Sequence, residues 1–170
     1  MQVSGGRIEY RECGLDNVIL ENVPTWRCDH GHVDAQVPAI DSLHLVIARA
    51  LIMLPWPLKG QDVRFLRKYL GYSAREFSRH LGLNHVTLSR FENDRTRVPR
   101  KLEALVRLFC AQAICERHGA VFPQALIAVL EALEDDRIDV RADLHVEHLG
   151  LAESEAMTEP SHAWRSRASV

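Results

Sequence analysis

Apolar residues return every three or four positions between residues 61 and 118, which is the spacing of helices with one buried face. Gly71 and Gly82 interrupt this pattern at points where a helix can end in a tight turn. Ser73, with a glutamate three residues later, has the capping-box pattern of a helix start, and Asn84 can cap the next helix. The pattern therefore predicts several short helices joined by tight turns.

The flanks of this region follow other patterns. Short β-like pieces occur before residue 38, and an apolar helical pattern runs from about Asp41 to Leu54 before the Pro55–Gly60 linker. These features predict five segments: a small β-rich unit at 1–38, an interface helix and linker at 39–58, a helix-turn-helix domain at 59–118, an amphipathic helix at 119–134, and an acidic, disordered tail at 135–170.

Charge is distributed unevenly along the chain. Residues 59–101 hold 11 Lys and Arg against 4 Asp and Glu, a net charge of +7, whereas the remaining residues carry 10 against 19, a net charge of −9. A basic segment of this kind is typical of nucleic-acid binding, although a solvated surface has the same composition.

Two further observations concern location. The first residues lack the basic start and apolar core of a signal peptide, and the apolar run at 43–54 is too short to span a bilayer. We therefore expect a cytoplasmic protein without a membrane partner. In that compartment the four cysteines are not expected to form a disulfide framework.

The predicted helix that Asn84 caps carries the candidate DNA-reading surface. If Leu88 and Phe91 face the core, the opposite side of the helix faces outward, because helical residues three and four positions apart share a face. The outward residues are His85, Val86, Ser89, Arg90 and Asn93. Arg90 can donate to both O6 and N7 of guanine, so it is the first candidate for reading a base. The predicted base-reading residues are His85, Val86, Ser89 and Arg90.

A second set of residues lies near predicted helix starts or in turns, where hydroxyl, amide and guanidinium groups can bind backbone phosphates. Such contacts position a protein on DNA without reading its sequence. The predicted phosphate-binding residues are Ser73, Asn84, Thr87, Asn93 and Arg95.

The same region resembles the phage-repressor (Xre/Cro) helix-turn-helix family. The matching residues are Phe65-Leu66-Arg67, Gly71-Tyr72-Ser73, Phe77, Leu81-Gly82-Leu83, Thr87 to Asn93 and Pro99. The resemblance implies a mainly α fold, a lambda-repressor-like helix-turn-helix bundle with a small β-containing N-terminal unit here, which reads double-stranded DNA as a homodimer. It also implies a structural ion pair between Arg67 and Glu92. The sequence departs from the family at Ala74, where a glutamine often contacts DNA.

The upstream segment is similar to MqsA/YgiT-type antitoxin regulators of toxin-antitoxin systems. The matching residues are Glu12 to Val18, Asn22-Val23, Cys28, Val37-Pro38 and Leu43-His44. This resemblance implies that the N-terminal unit binds a toxin partner while the helix-turn-helix domain represses the protein's own operon.

Zinc is the cofactor to consider, because members of that family often bind it through two Cys-x-x-Cys pairs. Neither pair is intact here, so residues 1–38 would be a degenerate zinc-finger-like unit. Cys13, Cys28, His30 and His32 would supply four ligands of types that zinc accepts. A lone cysteine beside surface histidines is the alternative, and it would leave the protein without a cofactor.

Other functions remain to be distinguished. A stand-alone repressor could use the N-terminal unit to sense a metal or a metabolite rather than a toxin, and a pure protein-interaction module would not bind DNA. An enzyme is not expected, because the sequence offers neither a nucleophile–base set at known spacings nor a phosphate-binding glycine loop.

Overall fold

The computed structural model describes residues 3–27, 33–132, 141–149 and 163–167, which contain six helices and five strands. The chain divides into two compact units, which we call the sheet unit (residues 1–50 and 142–169) and the helical unit (residues 51–141). The division falls inside helix α1 (Ile40–Met53), before the linker that the sequence indicates at 55–60.

The sheet unit is built around one long central strand. Its strands are β1 (Val3–Glu9), β2 (Val18–Arg27), β3 (Val33–Ala35), β4 (Leu144–His148) and β5 (Trp164–Ser166). The main strand order is β1-β2-β4-β5, and β3 also pairs with β2. β4 runs parallel to the first residues of β2, whereas β3 runs antiparallel to its last residues. The other two pairs, β1 with β2 and β4 with β5, are antiparallel.

The prediction of a disordered tail at 135–170 is wrong for β4 and β5. Leu144 and Val146 are fully buried and His148 is nearly so, while the residues between them face outward. The backbone N–H of Leu144 donates to the carbonyl of Asn17 at 2.7 Å, which starts the parallel pairing. Five alternating residues after an acidic stretch are a weak local signal, because this pairing depends on a strand more than a hundred residues earlier.

Among the short β-like pieces expected before residue 38, residues 18–27 form one continuous strand of ten residues, β2. Asn22, in its middle, has a positive φ of 58°, a conformation that asparagine tolerates better than most residues. Its side-chain amide donates to the carbonyl of His148 at 2.8 Å. A Cβ on Gly5 in the neighbouring strand would overlap the Asn22 side chain, so a larger residue at position 5 would have to displace that amide.

The helical unit contains the predicted series of short helices. They are α2 (Gly60–Tyr69), α3 (Ala74–His80), α4 (His85–Glu92), α5 (Arg100–His118) and α6 (Ala125–Ala132). Ser73 and Asn84 cap α3 and α4 as predicted, and Pro99 stands at the N-cap of α5. The core of the unit is apolar and includes Val63, Leu66, Leu70, Phe77, Leu81, Leu88, Phe91, Val106, Cys110 and Ile114.

Arg107 of α5 is a fully buried cation within the helical unit. Its guanidinium donates to the carbonyls of Leu51 and Ile52 at 2.7 and 2.6 Å, and to that of Trp56 at 2.6 Å. It also forms an ion pair with Glu103 at 2.8 Å. Leu51 and Ile52 lie in the last turn of α1, where carbonyls lack helical partners, so Arg107 satisfies groups that would otherwise be buried unpaired.

Candidate nucleic-acid interface

α3 and α4 are joined by a short turn that fixes the path of the chain between them. Gly82 has a φ of 65°, in the left-handed region that favours glycine. The N–H of Leu83 donates to the carbonyl of Ser78 at 2.8 Å, which closes the turn. Phe77 in α3 and Leu88 in α4 are both fully buried, so each helix presents its opposite side to solvent.

The solvent side of α4 carries all four predicted base-reading residues. His85, Ser89 and Arg90 are exposed, and the Val86 side chain is 47% exposed. Because α4 has only eight residues and buries Leu88 and Phe91 on its other side, these four side chains share one face.

Two of the predicted phosphate-binding residues also serve as helix caps. The Asn84 side-chain oxygen accepts from the N–H of Val86 at 2.8 Å. The Ser73 hydroxyl accepts from the N–H of Glu76 at 3.2 Å, and the Glu76 carboxylate accepts from the N–H of Ser73 at 2.9 Å. These hydrogen bonds lower the pKa of Glu76. Both cap residues remain exposed, so the Ser73 hydroxyl and the Asn84 amide group can also contact a ligand from the solvent side.

The other predicted phosphate-binding residues lie around the end of α4. Asn93 is exposed, and its amide donates to the carbonyl of Ser89 at 2.7 Å. Thr87 is half-buried. Arg95 is exposed, and its backbone N–H donates to the carbonyl of Arg90 at 2.9 Å, which holds it close to the last turn of α4.

Arg67 and Glu92 form the bidentate ion pair that the family resemblance implies. Arg67 donates to the two carboxylate oxygens of Glu92 at 2.6 and 2.8 Å, and to the carbonyl of Tyr72 at 2.9 Å. The hydrogen bond from Glu92 raises the pKa of Arg67, so the pair stays ionised. Glu92 is the only acidic residue of α4, and it is buried. Arg67 therefore neutralises the one negative charge of this helix away from its solvent face.

The remaining acidic residues of the basic segment are also engaged by the protein itself. Asp62 is fully buried, accepts from the N–H of Lys59 at 2.8 Å, and pairs with Arg141 at 2.6 Å. Asp94 accepts from the N–H of Gly60 at 3.0 Å. All four carboxylates between residues 59 and 101 thus accept hydrogen bonds within the fold, while most of the cations there reach solvent.

Arg75 and Arg79 are candidate interface residues that sequence reasoning missed. Both are exposed on α3, on the side opposite the buried Phe77. Their spacing of four residues, within a helix whose start has a clear cap, is the signal that could have identified them.

The zinc ligands predicted from the sequence are only partly within the described residues. Cys28, His30 and His32 lie outside them. The Cys13 thiol donates to the carbonyl of Tyr10 at 3.3 Å, and burial raises its pKa, which favours the thiol over the thiolate that zinc binds. Within the described ranges, no three His, Cys, Asp or Glu residues are grouped to hold a metal ion.

Comparison with known proteins agrees with the geometry of the helical unit. Residues 60–118 match a protein-family model described as a helix-turn-helix domain. Neither curated proteins nor solved structures gave a significant match to the chain. In the part of the chain that the structure describes, no helix is both long and apolar enough to cross a membrane. Residues 60–118 therefore form a helix-turn-helix domain, the type of module with which DNA-binding transcription regulators contact their sites.

Proposed function

We propose that this protein is a sequence-specific transcription regulator that inserts α4 into the major groove of double-stranded DNA. The observation that carries the proposal is the solvent face of α4, which presents His85, Val86, Ser89 and Arg90 while Glu92 is held inside by Arg67. A major groove about 12 Å wide admits a helix, and a face without carboxylates does not repel the phosphates beside it.

The residues of this face would have different roles. Arg90 would donate two hydrogen bonds to a guanine, whereas His85 and Val86 would contact a base edge and a thymine methyl at the start of the helix. Arg95, just after α4, would bind a phosphate and fix the register. Arg75 and Arg79 on α3 would add to the positive field that faces the backbone.

Binding to DNA from upstream of the protein's own coding sequence, and to sites selected from a random pool, tests these roles. In Arg90→Ala we expect discrimination between the best site and a site with one altered base to fall by about 1–3 kcal/mol at one position per half-site. In Arg95→Ala we expect all sites to weaken alike, with a salt slope reduced by about 0.9.

Arg49→Ala is the matched control, because Arg49 is an exposed arginine of α1 outside the basic segment. It should leave both affinity and salt slope unchanged. If Arg90→Ala lowers affinity equally for the best and the altered sites, Arg90 does not read a base and the assignment fails.

We also propose that the regulator binds as a homodimer to a near-palindromic operator. Two copies of α4 would enter successive major grooves about one helical turn apart, near 10–10.5 base pairs. Inserting half a turn between the half-sites rotates one half-site to the opposite face of the duplex. Such an insertion should abolish high-affinity binding, and an unchanged affinity would contradict the dimer.

The finer role that we propose is that of an antitoxin, which represses its own operon and binds a toxin through the sheet unit. Two sequence features support it: the resemblance across residues 12–44, and the net charge of −9 outside residues 59–101, which suits a basic partner. Coexpression with the neighbouring gene product should reveal a stable complex and relief of toxicity. A repressor that copurifies with no such product, and whose DNA affinity shifts with added zinc, would be ligand- or metal-responsive instead.

A further inference from the structure

Ser89 and Asn93 lie on the same side of α4, and their side chains are in contact. Ser89 is in the second turn of the helix, and Asn93 is the C-cap residue four positions later. Both are exposed. The amide nitrogen of Asn93 lies 2.7 Å from the carbonyl oxygen of Ser89 and 3.4 Å from its hydroxyl oxygen. The C-cap residue thus holds one residue of the solvent face of α4.

The carbonyl of Ser89 determines which end of the Asn93 amide faces the helix. A carbonyl oxygen can only accept hydrogen bonds, so the amide must present its nitrogen there rather than its oxygen. The backbone N–H of Asn93 donates to the same carbonyl at 3.2 Å, which places the side chain beside it. The atom that faces the Ser89 hydroxyl is therefore the amide nitrogen, which is only a donor.

This contact restricts the direction of the Ser89 hydroxyl proton. A hydroxyl group has one donor position and two acceptor positions, and beside an N–H donor its oxygen must use an acceptor position. Within the described part of the chain, the hydroxyl itself donates to no other group of the protein. The proton of Ser89 therefore points away from Asn93 and remains available on the solvent side of α4.

We propose that Asn93 sets Ser89 as a hydrogen-bond donor, and that Ser89 thereby excludes cytosine from the base position that it faces in the major groove. Adenine and guanine offer N7 as an acceptor in this groove, and thymine offers O4, whereas cytosine offers only its N4 amino donor. A donor on Ser89 can pair with three of the four bases. Opposite cytosine two donors would meet, and both would lose water without gaining a partner.

Phosphate binding, the role expected for Asn93 from the sequence, fits this geometry less well. Phosphate oxygens only accept hydrogen bonds, so they would need the amide nitrogen that already donates to Ser89. The amide oxygen that remains would repel a phosphate. The inference rests on the proposed insertion of α4 into the major groove, and it makes Asn93 a positioning residue for Ser89.

Selection of binding sites from a random DNA pool by the full chain tests the proposal. The position that Ser89 faces is the one whose base preference changes in Ser89→Ala. With the wild type we expect cytosine to be depleted there about three- to tenfold, which is the effect of one neutral hydrogen bond. Ser89→Ala should remove this depletion.

Asn93→Asp reverses the contact with little change in size. The new carboxylate would accept the Ser89 proton and turn the hydroxyl lone pairs toward the DNA. We expect cytosine, with its N4 donor, to become enriched at the same position, while the position that depends on Arg90 keeps its preference. A residue that merely ended the helix would change affinity or stability without changing the preferred base.

The added negative charge should weaken binding of Asn93→Asp to all sites, so the measured quantity is the relative preference within each pool. Gln112→Glu, which makes the same change of amide to carboxylate at an exposed position of α5, is the matched control. It should select the same bases as the wild type.

Three results would each overturn the proposal: cytosine among the wild-type sites at that position, a Ser89→Ala pool identical to that of the wild type, or an Asn93→Asp pool that still lacks cytosine. Specific, Arg90-dependent binding alongside any of them would leave the proposed regulator intact. A wild type that enriches no sequence at all would instead refute the proposed function, and this inference with it.

Discussion

The helical unit and the sheet unit are each stabilised by internal contacts, and these contacts span very different distances along the sequence in the two units. In the helical unit the Ser73 and Asn84 caps join groups two or three residues apart. The Arg67–Glu92 pair spans 25 residues, and the Asp62–Arg141 pair spans 79 but stays within one continuous segment of the chain. In the sheet unit Asn22 of β2 bonds to His148 of β4 across 126 residues. The helical unit can thus form from a continuous segment, whereas the sheet unit needs both ends of the chain.

Removing residues 142–170 should produce the largest difference between the two units, because it should unfold the sheet unit and leave the helical unit folded. The sheet unit would lose β4 and β5, and with them the partner of the first half of β2. We expect amide protection in β2 to vanish, a loss on the order of 5 kcal/mol, while α2 to α5 stay protected in hydrogen exchange. Removing residues 168–170 alone serves as the control. Persistent protection of β2 in the shorter chain would show that the sheet does not need its C-terminal strands.

Arg107→Met should damage the helical unit by a smaller amount. The substitution keeps the length of the side chain but leaves Glu103 as a buried charge without its cation and removes the donors to three carbonyls. We expect a loss of about 3–5 kcal/mol in urea unfolding followed by circular dichroism. Arg64→Met, on the exposed side of α2, should change stability by no more than about 0.5 kcal/mol. Equal midpoints for the two variants would contradict a structural role for Arg107.

Acidification should produce the smallest difference between the two units, a difference in how their stability depends on pH. Burial lowers the pKa of His44 and of His148, both in the sheet unit, below the ordinary value of 6.5. The unfolded chain then binds more protons than the folded one, so the stability of the sheet unit is complete above about pH 7 and falls toward pH 5. In the helical unit the lowered pKa of Glu76 acts only below 4.5.

Hydrogen exchange in β4 and in α3, compared across this pH range, measures the difference. His148→Phe should make the pH dependence of the sheet unit shallower, because phenylalanine keeps the aromatic contact with Trp164, whose ring lies 4.9 Å from that of His148. An identical pH dependence in the two proteins would exclude His148 as a source of the effect.

The difference in reach also explains which parts of the fold the sequence could predict. Cap residues, glycine turns and helical spacing are local signals, and together they predicted α2, α3 and α4 and the solvent face of α4. β4 has no comparable local signal, because its five alternating residues form a strand by pairing with β2, which lies more than a hundred residues earlier. Pairing partners at such a distance are not encoded in any local pattern.

The candidate interface shows the same limit. Exposed positions of α4 followed from two buried residues, Leu88 and Phe91. The engagement of Asp62 by Arg141, 79 residues later, could not be predicted, since neither residue carries a local signal for the other. The net charge of the basic segment could therefore be counted from the sequence, whereas the burial of the Asp62 carboxylate could not be predicted from it.

The close approach of α2 to the end of α4 restricts which residue can occupy position 60. A Cβ on Gly60 would overlap the carbonyl oxygen of Phe91, and the Gly60 N–H donates to Asp94. Any larger residue must push the start of one helix away from the end of the other, and the displacement would pass to Arg95. In a library of all substitutions, residue 60 should therefore accept almost no alternative, although it has no side chain with which to contact a ligand.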